Sequence, residues 1–156
     1  MKMFLQGEWV ERDQRAEVVN PYNGDSIDVV PVGTAADITT ALDGLVEGAK
    51  VMREMPTHQR VEILRKTARL ILDHQEELGQ LISTEEGKVL AEGHIEAGRT
   101  AETLDLSADE ARNLRGETMP LDSTPGGVGK LGFTLRVPCG IVAAITPFNF
   151  PLNLVA

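Results

Sequence analysis

The prediction of the fold starts from the stretch Ile141-Val-Ala-Ala-Ile-Thr-Pro-Phe-Asn-Phe-Pro151, which passes from an apolar run into a turn rich in proline. Five consecutive apolar residues at 141–145 predict a strand that is buried on both faces of a parallel sheet. Pro151 suits the first turn of a helix, and Asn149 lies close to a helix-capping position. The stretch therefore predicts a strand, a tight turn and the start of a helix.

This arrangement has a functional and a structural interpretation. In open α/β sheets, ligands bind in the turn beyond the carboxyl end of a strand, where backbone N–H groups and the helix dipole converge. Alternatively, Asn149 is only a helix cap, and Pro147 and Pro151 only mark the ends of elements. The residues considered by themselves favour the structural interpretation.

Short strands and a first helix are predicted at the beginning of the chain. Thr34 and Asp37 form a potential capping box, in which each side chain satisfies a backbone N–H of the other residue. A helix is therefore predicted from this box to about Met52. Before it, apolar runs at 4–10, 16–20 and 26–32 are separated by the turn signals Gly7, Asn20-Pro21 and Asn23-Gly24.

Two further helices follow. The first begins at Pro56-Thr57 and continues as one amphipathic helix to Gly87, since its apolar residues recur at three- and four-residue steps. The second, from about Val89 to Leu114, is more polar and is predicted to be half solvated. The apolar positions are Val61, Leu64, Ala68, Ile71, Leu72, Leu78 and Ile82 in the first helix, and Ile95, Leu104, Ala108 and Ala111 in the second.

The chain divides into three regions of an α/β protein. Residues 1–115 hold the short strands and the helices. Residues 116–137 form a connector and then a strand at 133–137, where apolar and polar residues alternate. Residues 138–156 hold the buried strand, the turn and the start of the following helix.

Composition indicates which classes of partner and which cellular compartment to expect for this protein. The formal net charge of −9 argues against affinity for nucleic acid or an anionic membrane, so small molecules or proteins are the expected partners. No signal peptide or membrane span is evident, and a cytoplasmic location is expected. The single cysteine, Cys139, and the spacing of His58, His74 and His94 disfavour a metal site.

Residues 138–152, Pro-Cys-Gly-Ile-Val-Ala-Ala-Ile-Thr-Pro-Phe-Asn-Phe-Pro-Leu, resemble the stretch P-x-G-V-V-x-x-I-x-P-[WF]-N-F-P-L of NAD(P)-dependent aldehyde dehydrogenases. The resemblance extends over the whole chain in the family's order. It includes Gly7-Glu-Trp9, Asn20-Pro21, Arg60, Glu86-Gly-Lys88 and Glu96.

The resemblance implies an enzyme that oxidises an aldehyde to a carboxylic acid and passes hydride to NAD or NADP, with NAD favoured as the family's commoner cofactor. Asn149 matches the side-chain amide that holds the oxyanion formed when a cysteine thiolate attacks the aldehyde. Ile145, Thr146, Pro147 and Phe148 match positions that line the cofactor, and Phe150, Asn153 and Leu154 match the wall of the substrate tunnel.

The resemblance also implies that much of the enzyme lies outside these residues. Cys139 matches a variable position and is expected to be a buried small hydrophobe rather than the nucleophile. The family's catalytic cysteine and general-base glutamate have no match in this chain, which is expected to be inactive alone. The fold would be the N-terminal helical part of a cofactor-binding domain, with the start of its parallel sheet and of its oligomerisation arm, incomplete as given.

Partners and alternatives follow from the same resemblance. The segment 129–137 matches part of an arm that pairs with a neighbouring subunit, so the full-length protein would be a homodimer or homotetramer. A non-catalytic fragment that acts as a partner-binding or oligomerisation module is the alternative. A small nucleotide-binding α/β domain is disfavoured because the chain has no GxGxxG turn.

Overall fold

Four helices dominate the chain, and six short strands pair into three antiparallel ribbons. The computed structural model describes residues 1–156. In chain order the strands are β1 (Met3–Leu5), β2 (Glu8–Val10), β3 (Arg15–Val19), β4 (Ser26–Pro31), β5 (Thr118–Met119) and β6 (Gly132–Phe133). The helices are α1 (Ala35–Glu54), α2 (Thr57–Asp73), α3 (Gln75–Glu86) and α4 (Leu90–Asn113). None of them combines the length and the apolar content needed to cross a lipid bilayer.

The predicted strands at the beginning of the chain are confirmed as two hairpins. β1 pairs with β2 so that Met3 faces Val10, and the turn between them uses Gly7 at φ 87°. A positive φ of this size is easily adopted only by glycine. β3 pairs with β4, with an irregularity in register between Val18 and Val19.

The capping box at the start of α1 is confirmed. The backbone N–H of Thr34 donates to Asp37 Oδ2 at 2.8 Å, and the N–H of Asp37 donates to Thr34 Oγ1 at 3.3 Å. The guanidinium of Arg12 donates to the other carboxylate oxygen, Oδ1, and so attaches α1 to the segment after β2. Hydrogen bonds from Arg12 and then from Thr34 hold the pKa of Asp37 well below its ordinary value.

The core lies where α2 and α3 both pack on α4. The prediction of one helix from Thr57 to Gly87 is wrong, because the helix ends at Asp73 and α3 begins at Gln75. His74, at φ −109° and ψ 16°, separates them. The break lets both helices place an apolar face on the same partner. The buried apolar side chains are Val61, Ala68, Ile82, Ala97, Ala101, Leu104 and Ala108.

The buried face of α4 differs in part from the predicted one. Leu104 and Ala108 are buried as predicted, but Ile95 is 59% exposed. The face consists mainly of small residues, because α2 and α3 approach α4 closely and leave no room for larger side chains. Its members are Gly93, Glu96, Ala97, Thr100, Ala101, Leu104 and Ala108.

Residues 134–156 differ most from the prediction. The strand expected at 133–137 is reduced to β6, which pairs with β5 inside the predicted connector. Residues 141–145 form no strand, and Ile145 is 95% exposed. No other segment of the chain pairs with them, so neither a parallel sheet nor a buried strand is formed within these residues. Cys139 is exposed as well, which corrects the prediction of a buried side chain.

The contact between α3 and α4 depends on two glycines. A Cβ added to Gly79 would lie 1.9 Å from His94 Cδ2 and 2.8 Å from His94 Cα, and one added to Gly93 would lie 2.4 Å from the Gly79 carbonyl oxygen. Gly79→Ala therefore forces the helices apart. We expect its free energy of unfolding in urea to fall by about 1–3 kcal/mol, the usual range for overpacking.

Gly48→Ala is the matched control, because Gly48 lies within α1 and an added Cβ there meets no atom within 4 Å. Its free energy of unfolding should stay the same or rise by up to about 1 kcal/mol, since alanine favours the helix more than glycine does. Equal effects of the two substitutions would contradict a close contact at Gly79.

The low pKa of Asp37 predicts a pH-dependent contribution to stability. A carboxylate whose pKa is depressed by folding stabilises the folded state above its unfolded pKa, and that contribution is lost as the pH falls through the folded value. Asp37→Asn should therefore lower the thermal midpoint near neutral pH. The difference from the original protein should shrink below about pH 4. Asp43→Asn, an exposed carboxylate of α1, is the control and should show no such pH-dependent difference.

Candidate active site

The turn at residues 146–154, called the Asn149 turn, carries most of the predicted site residues. Asn149 is exposed at its tip, and Pro151 begins a single helical turn in which the Leu154 N–H donates to the Phe150 carbonyl at 3.1 Å. The helix predicted after Pro151 is thus present only as one turn. Residues 145–148 make no backbone hydrogen bonds of their own within the chain.

Lys88 contacts this turn from the segment that joins α3 to α4. Its ammonium donates to the Asn149 carbonyl oxygen at 2.7 Å. It also lies 4.3 Å from the centre of the Phe150 ring, within the range of a cation–π interaction. Gly87, at φ 71°, ends α3 and lets the chain turn sharply before Lys88.

Glu96 contacts the same turn from α4. It is only 1% exposed, and its Oε1 accepts hydrogen bonds from the backbone N–H groups of Leu152 at 3.0 Å and Asn153 at 3.2 Å. Its other oxygen, Oε2, lies 2.6 Å from Lys88 Nζ. One buried carboxylate therefore joins the segment at Lys88 to the turn that follows Asn149.

The charges at this place compensate one another. Lys88 Nζ also lies 3.0 Å from Glu86 Oε2, so two carboxylates flank one ammonium group. Burial lowers the pKa of Lys88, but hydrogen bonds to Glu96 and Glu86 and the negative charge of both residues outweigh it. The net pKa lies above the ordinary lysine value, and the ammonium stays charged at neutral pH.

The predicted site residues differ in their exposure. Ile145 is 95% exposed and Phe148 is 87% exposed, while Thr146 is half-buried. On the side of the turn that faces α4, the Thr103 hydroxyl lies 3.0 Å from both Asn153 Oδ1 and the Arg99 carbonyl oxygen, so the two acceptors share its one proton. Leu154 is 49% exposed. The structure thus leaves the tip of the turn accessible and attaches its base to the helices.

Sequence reasoning gave Lys88 and Glu96 no role in the site, although both belong to the stretches quoted for the family resemblance. A signal for Glu96 was present in the helical spacing. Positions 96, 100, 104 and 108 follow one another at four-residue steps along the buried face of α4, so a glutamate there must be buried. A buried carboxylate requires a cation or hydrogen-bond donors, but the spacing does not show which part of the chain supplies them.

Comparison with known proteins decides the family. The model of the aldehyde dehydrogenase family matches residues 9–156, almost the whole chain. The chain belongs to the aldehyde dehydrogenase family. It is 39% identical over 153 residues to 3-sulfolactaldehyde dehydrogenase of Priestia megaterium, and 36% identical over 154 residues to lactaldehyde dehydrogenase of Methanocaldococcus jannaschii.

Solved structures of aldehyde dehydrogenases share the fold. The NADP-dependent glyceraldehyde-3-phosphate dehydrogenase of Bacillus halodurans, solved with NADP, superimposes with a TM-score of 0.92 at 35% identity over 98% of the chain. Aldehyde dehydrogenase 21 of Physcomitrella patens, solved with its reaction product succinate, also gives a TM-score of 0.92, at 34% identity over 99% of the chain. This aldehyde dehydrogenase chain therefore has the fold of the N-terminal part of those enzymes.

The alignments cover almost all of this chain but only a minor part of each relative. The alignments cover 98% and 99% of this chain but 32% of each of the two dehydrogenases named above. They cover 33% and 32% of the two solved structures. This aldehyde dehydrogenase chain thus spans about a third of the length of the relatives it matches.

Proposed function

We propose that this chain supplies the N-terminal part of an NAD(P)-dependent aldehyde dehydrogenase that oxidises a short aldehyde to a carboxylic acid. The observation that carries the proposal is the exposed Asn149 on a turn whose neighbouring backbone is bonded to Glu96 and Lys88. Such a turn presents a side-chain amide to a ligand while its backbone is kept from moving.

Asn149 would stabilise the oxyanion that forms when a thiolate adds to the aldehyde carbonyl. Its side-chain Nδ2–H₂ donates a hydrogen bond without a net charge, and therefore carries no acidic proton to transfer to the oxyanion. A donor that is held in place before the reaction stabilises developing charge without the cost of reorganisation. In the resembled family the thiolate comes from a cysteine that has no match among these residues, and Cys139 has no part in the proposal.

Residues 145–148 would bind the nicotinamide cofactor, which accepts the hydride when bound. The residues present fit such a group. Ile145 and Phe148 present exposed apolar surface, which a planar ring covers favourably, and the half-buried Thr146 adds a hydroxyl. Structural neighbours from Bacillus halodurans and Methanocaldococcus jannaschii are complexed with NADP, although the family resemblance favours NAD. Initial rates with each dinucleotide distinguish the two.

Phe150, Asn153 and Leu154 would form part of the substrate wall. The contact of Thr103 with Asn153 Oδ1 restricts the orientation of the Asn153 amide. Three of the relatives reported above are named for lactaldehyde, 3-sulfolactaldehyde and glyceraldehyde 3-phosphate, which are all three-carbon aldehydes with a hydroxyl next to the carbonyl. We therefore place short 2-hydroxyaldehydes first among the candidate substrates.

Residues 129–137 would pair with a second copy of the protein. β6 covers only Gly132–Phe133, and Leu135 and Val137 beyond it are 71% and 76% exposed. An extended segment with free backbone groups and exposed apolar side chains is a suitable edge for a strand of another subunit. The proposed assembly is a homodimer or homotetramer.

The function is tested with the full-length protein that carries residues 1–156. The purified protein is mixed with NAD or NADP and lactaldehyde, 3-sulfolactaldehyde, glyceraldehyde 3-phosphate or succinate semialdehyde. We expect the reduced nucleotide and the matching acid to form in equal amounts. Absence of both products with every aldehyde would contradict the proposal and favour the non-catalytic binding module.

Asn149→Ala tests the oxyanion role in the same assay. Loss of one oxyanion donor lowers turnover by about 100- to 1000-fold, so kcat should fall by that factor while the thermal midpoint stays unchanged. Asn113→Ala, at the end of α4 and away from the turn, is the control and should retain full kcat. An unchanged kcat in the Asn149 variant would exclude the proposed role.

Leu135→Asp tests the assembly. A carboxylate in a buried strand pairing is unfavourable, so the variant should dissociate into subunits, and the mass by light scattering should fall to that of one chain. Arg136→Ala, the neighbouring position, should retain the assembly. A monomeric original protein would contradict the proposed oligomer directly.

A further inference from the structure

Few polar contacts hold the Asn149 turn, whose half-buried Pro151 and Leu152 also lie beside Leu78 and Ile82 of α3. Residues 138–148 make no backbone hydrogen bonds within the chain, so the polypeptide that leads into the turn does not fix its place. The polar contacts between the turn and the helices come from three side chains, Lys88, Glu96 and Thr103. Of these, only Lys88 and Glu96 bond to the backbone of the turn.

The two side chains bond to the backbone on either side of Pro151. Lys88 binds the carbonyl of Asn149 itself, which directs that peptide group toward the helices. Glu96 binds the N–H groups of Leu152 and Asn153, which belong to the first helical turn and have no partners of their own. Together they fix the backbone before and after the proline, and with it the orientation of residue 149.

The chemistry of Glu96 requires a carboxylate. Both of its oxygens are used, one by the backbone N–H groups and the other by Lys88. A glutamine has a single acceptor oxygen, and its amide N–H₂ would face either the two backbone donors or the ammonium. Replacement by glutamine keeps the shape of the side chain but necessarily loses one of the two connections.

We infer that Glu96 and Lys88 are positioning residues, which hold the Asn149 turn in the orientation that presents the Asn149 amide to the substrate. Neither side chain touches the reacting atoms. Their effect on turnover rests on the proposed function of Asn149, whereas their effect on the position of the turn does not.

The position of the turn is measured by hydrogen exchange of the full-length protein in the absence of substrate. In Glu96→Ala, the amides of Leu152 and Asn153 lose a charged acceptor and should exchange about 10- to 100-fold faster. The amides of Ala101 and Leu104 in α4 should exchange as before. Glu92→Gln, which replaces an exposed glutamate on the same helix, is the control. It should change the exchange rates of none of these four amides. Unchanged exchange at Leu152 and Asn153 would overturn the inference.

Turnover is measured with variants that preserve the packing. Glu96→Gln and Lys88→Met should lower kcat by about 10- to 100-fold, the cost of a misplaced group, with a much smaller change in KM. If Glu96→Ala does not fold, Glu96→Gln supplies the exchange measurement as well. A loss of the folded fraction that accounts for the whole decrease in kcat would indicate a structural role alone and overturn the inference.

A double substitution separates this inference from the proposed function. If Glu96 acts through Asn149, Glu96→Gln should lower kcat by less than about twofold in the Asn149→Ala background. If Glu96→Gln lowers kcat in the Asn149→Ala background by the same factor as in the original protein, Glu96 affects turnover independently of Asn149. If Asn149→Ala alone leaves kcat unchanged, the oxyanion role fails, while the exchange result still decides whether Glu96 positions the turn.

Discussion

The buried carboxylate of Glu96 connects two distant parts of the chain, the helical core and the segment after Pro151. On one side it neutralises the ammonium of Lys88 between α3 and α4, and on the other it binds backbone N–H groups after Pro151. A buried charge is tolerated only when it is paired and hydrogen-bonded, and Glu96 meets both conditions with groups from different segments. The candidate site is therefore attached to the helical core through electrostatic contacts rather than through a sheet.

The helical core allows the contact between Glu96 and Lys88 because the buried face of α4 carries mainly small side chains. Gly93, Ala97 and Ala101 let α2 and α3 approach closely, so the segment at Lys88 lies beside the second turn of α4. A larger residue at Gly93 would collide with the Gly79 carbonyl and displace α3. The close packing of α3 on α4 therefore also determines where the Lys88 side chain lies.

The exposed tip of the turn is apolar, whereas its base is held by polar contacts. Ile145 and Phe148 present apolar surface to solvent, whereas Phe150 lies under the Lys88 ammonium and Asn153 is bonded to Thr103. In the proposed function, a ligand binds at the apolar tip while the contacts at the polar base hold the turn. The proposed cofactor residues Ile145 and Phe148 lie on the accessible side, whereas Phe150 and Asn153 of the proposed substrate wall lie at the base.

The sequence by itself determined the elements whose signals are local. The Thr34–Asp37 capping box, the glycine turn at Gly7 and the helical periodicity of α2 all follow from neighbouring residues, and each is present in the structure. The motif at 138–152 also identified the family, since its residues are consecutive. These features could be predicted because backbone conformation and short-range hydrogen bonds depend mainly on adjacent side chains.

Only the tertiary structure decided what depends on distant partners. The apolar run at 141–145 satisfies the pattern of a buried strand, yet a strand forms only where another segment pairs with it, and none of these residues does so. The break at His74 depends on the packing of both helices against α4. The role of Glu96 depends on N–H groups more than 50 residues away, which no local pattern specifies. Hydrogen bonds and charges between segments are set by the folded geometry, and for this reason no local sequence pattern specifies them.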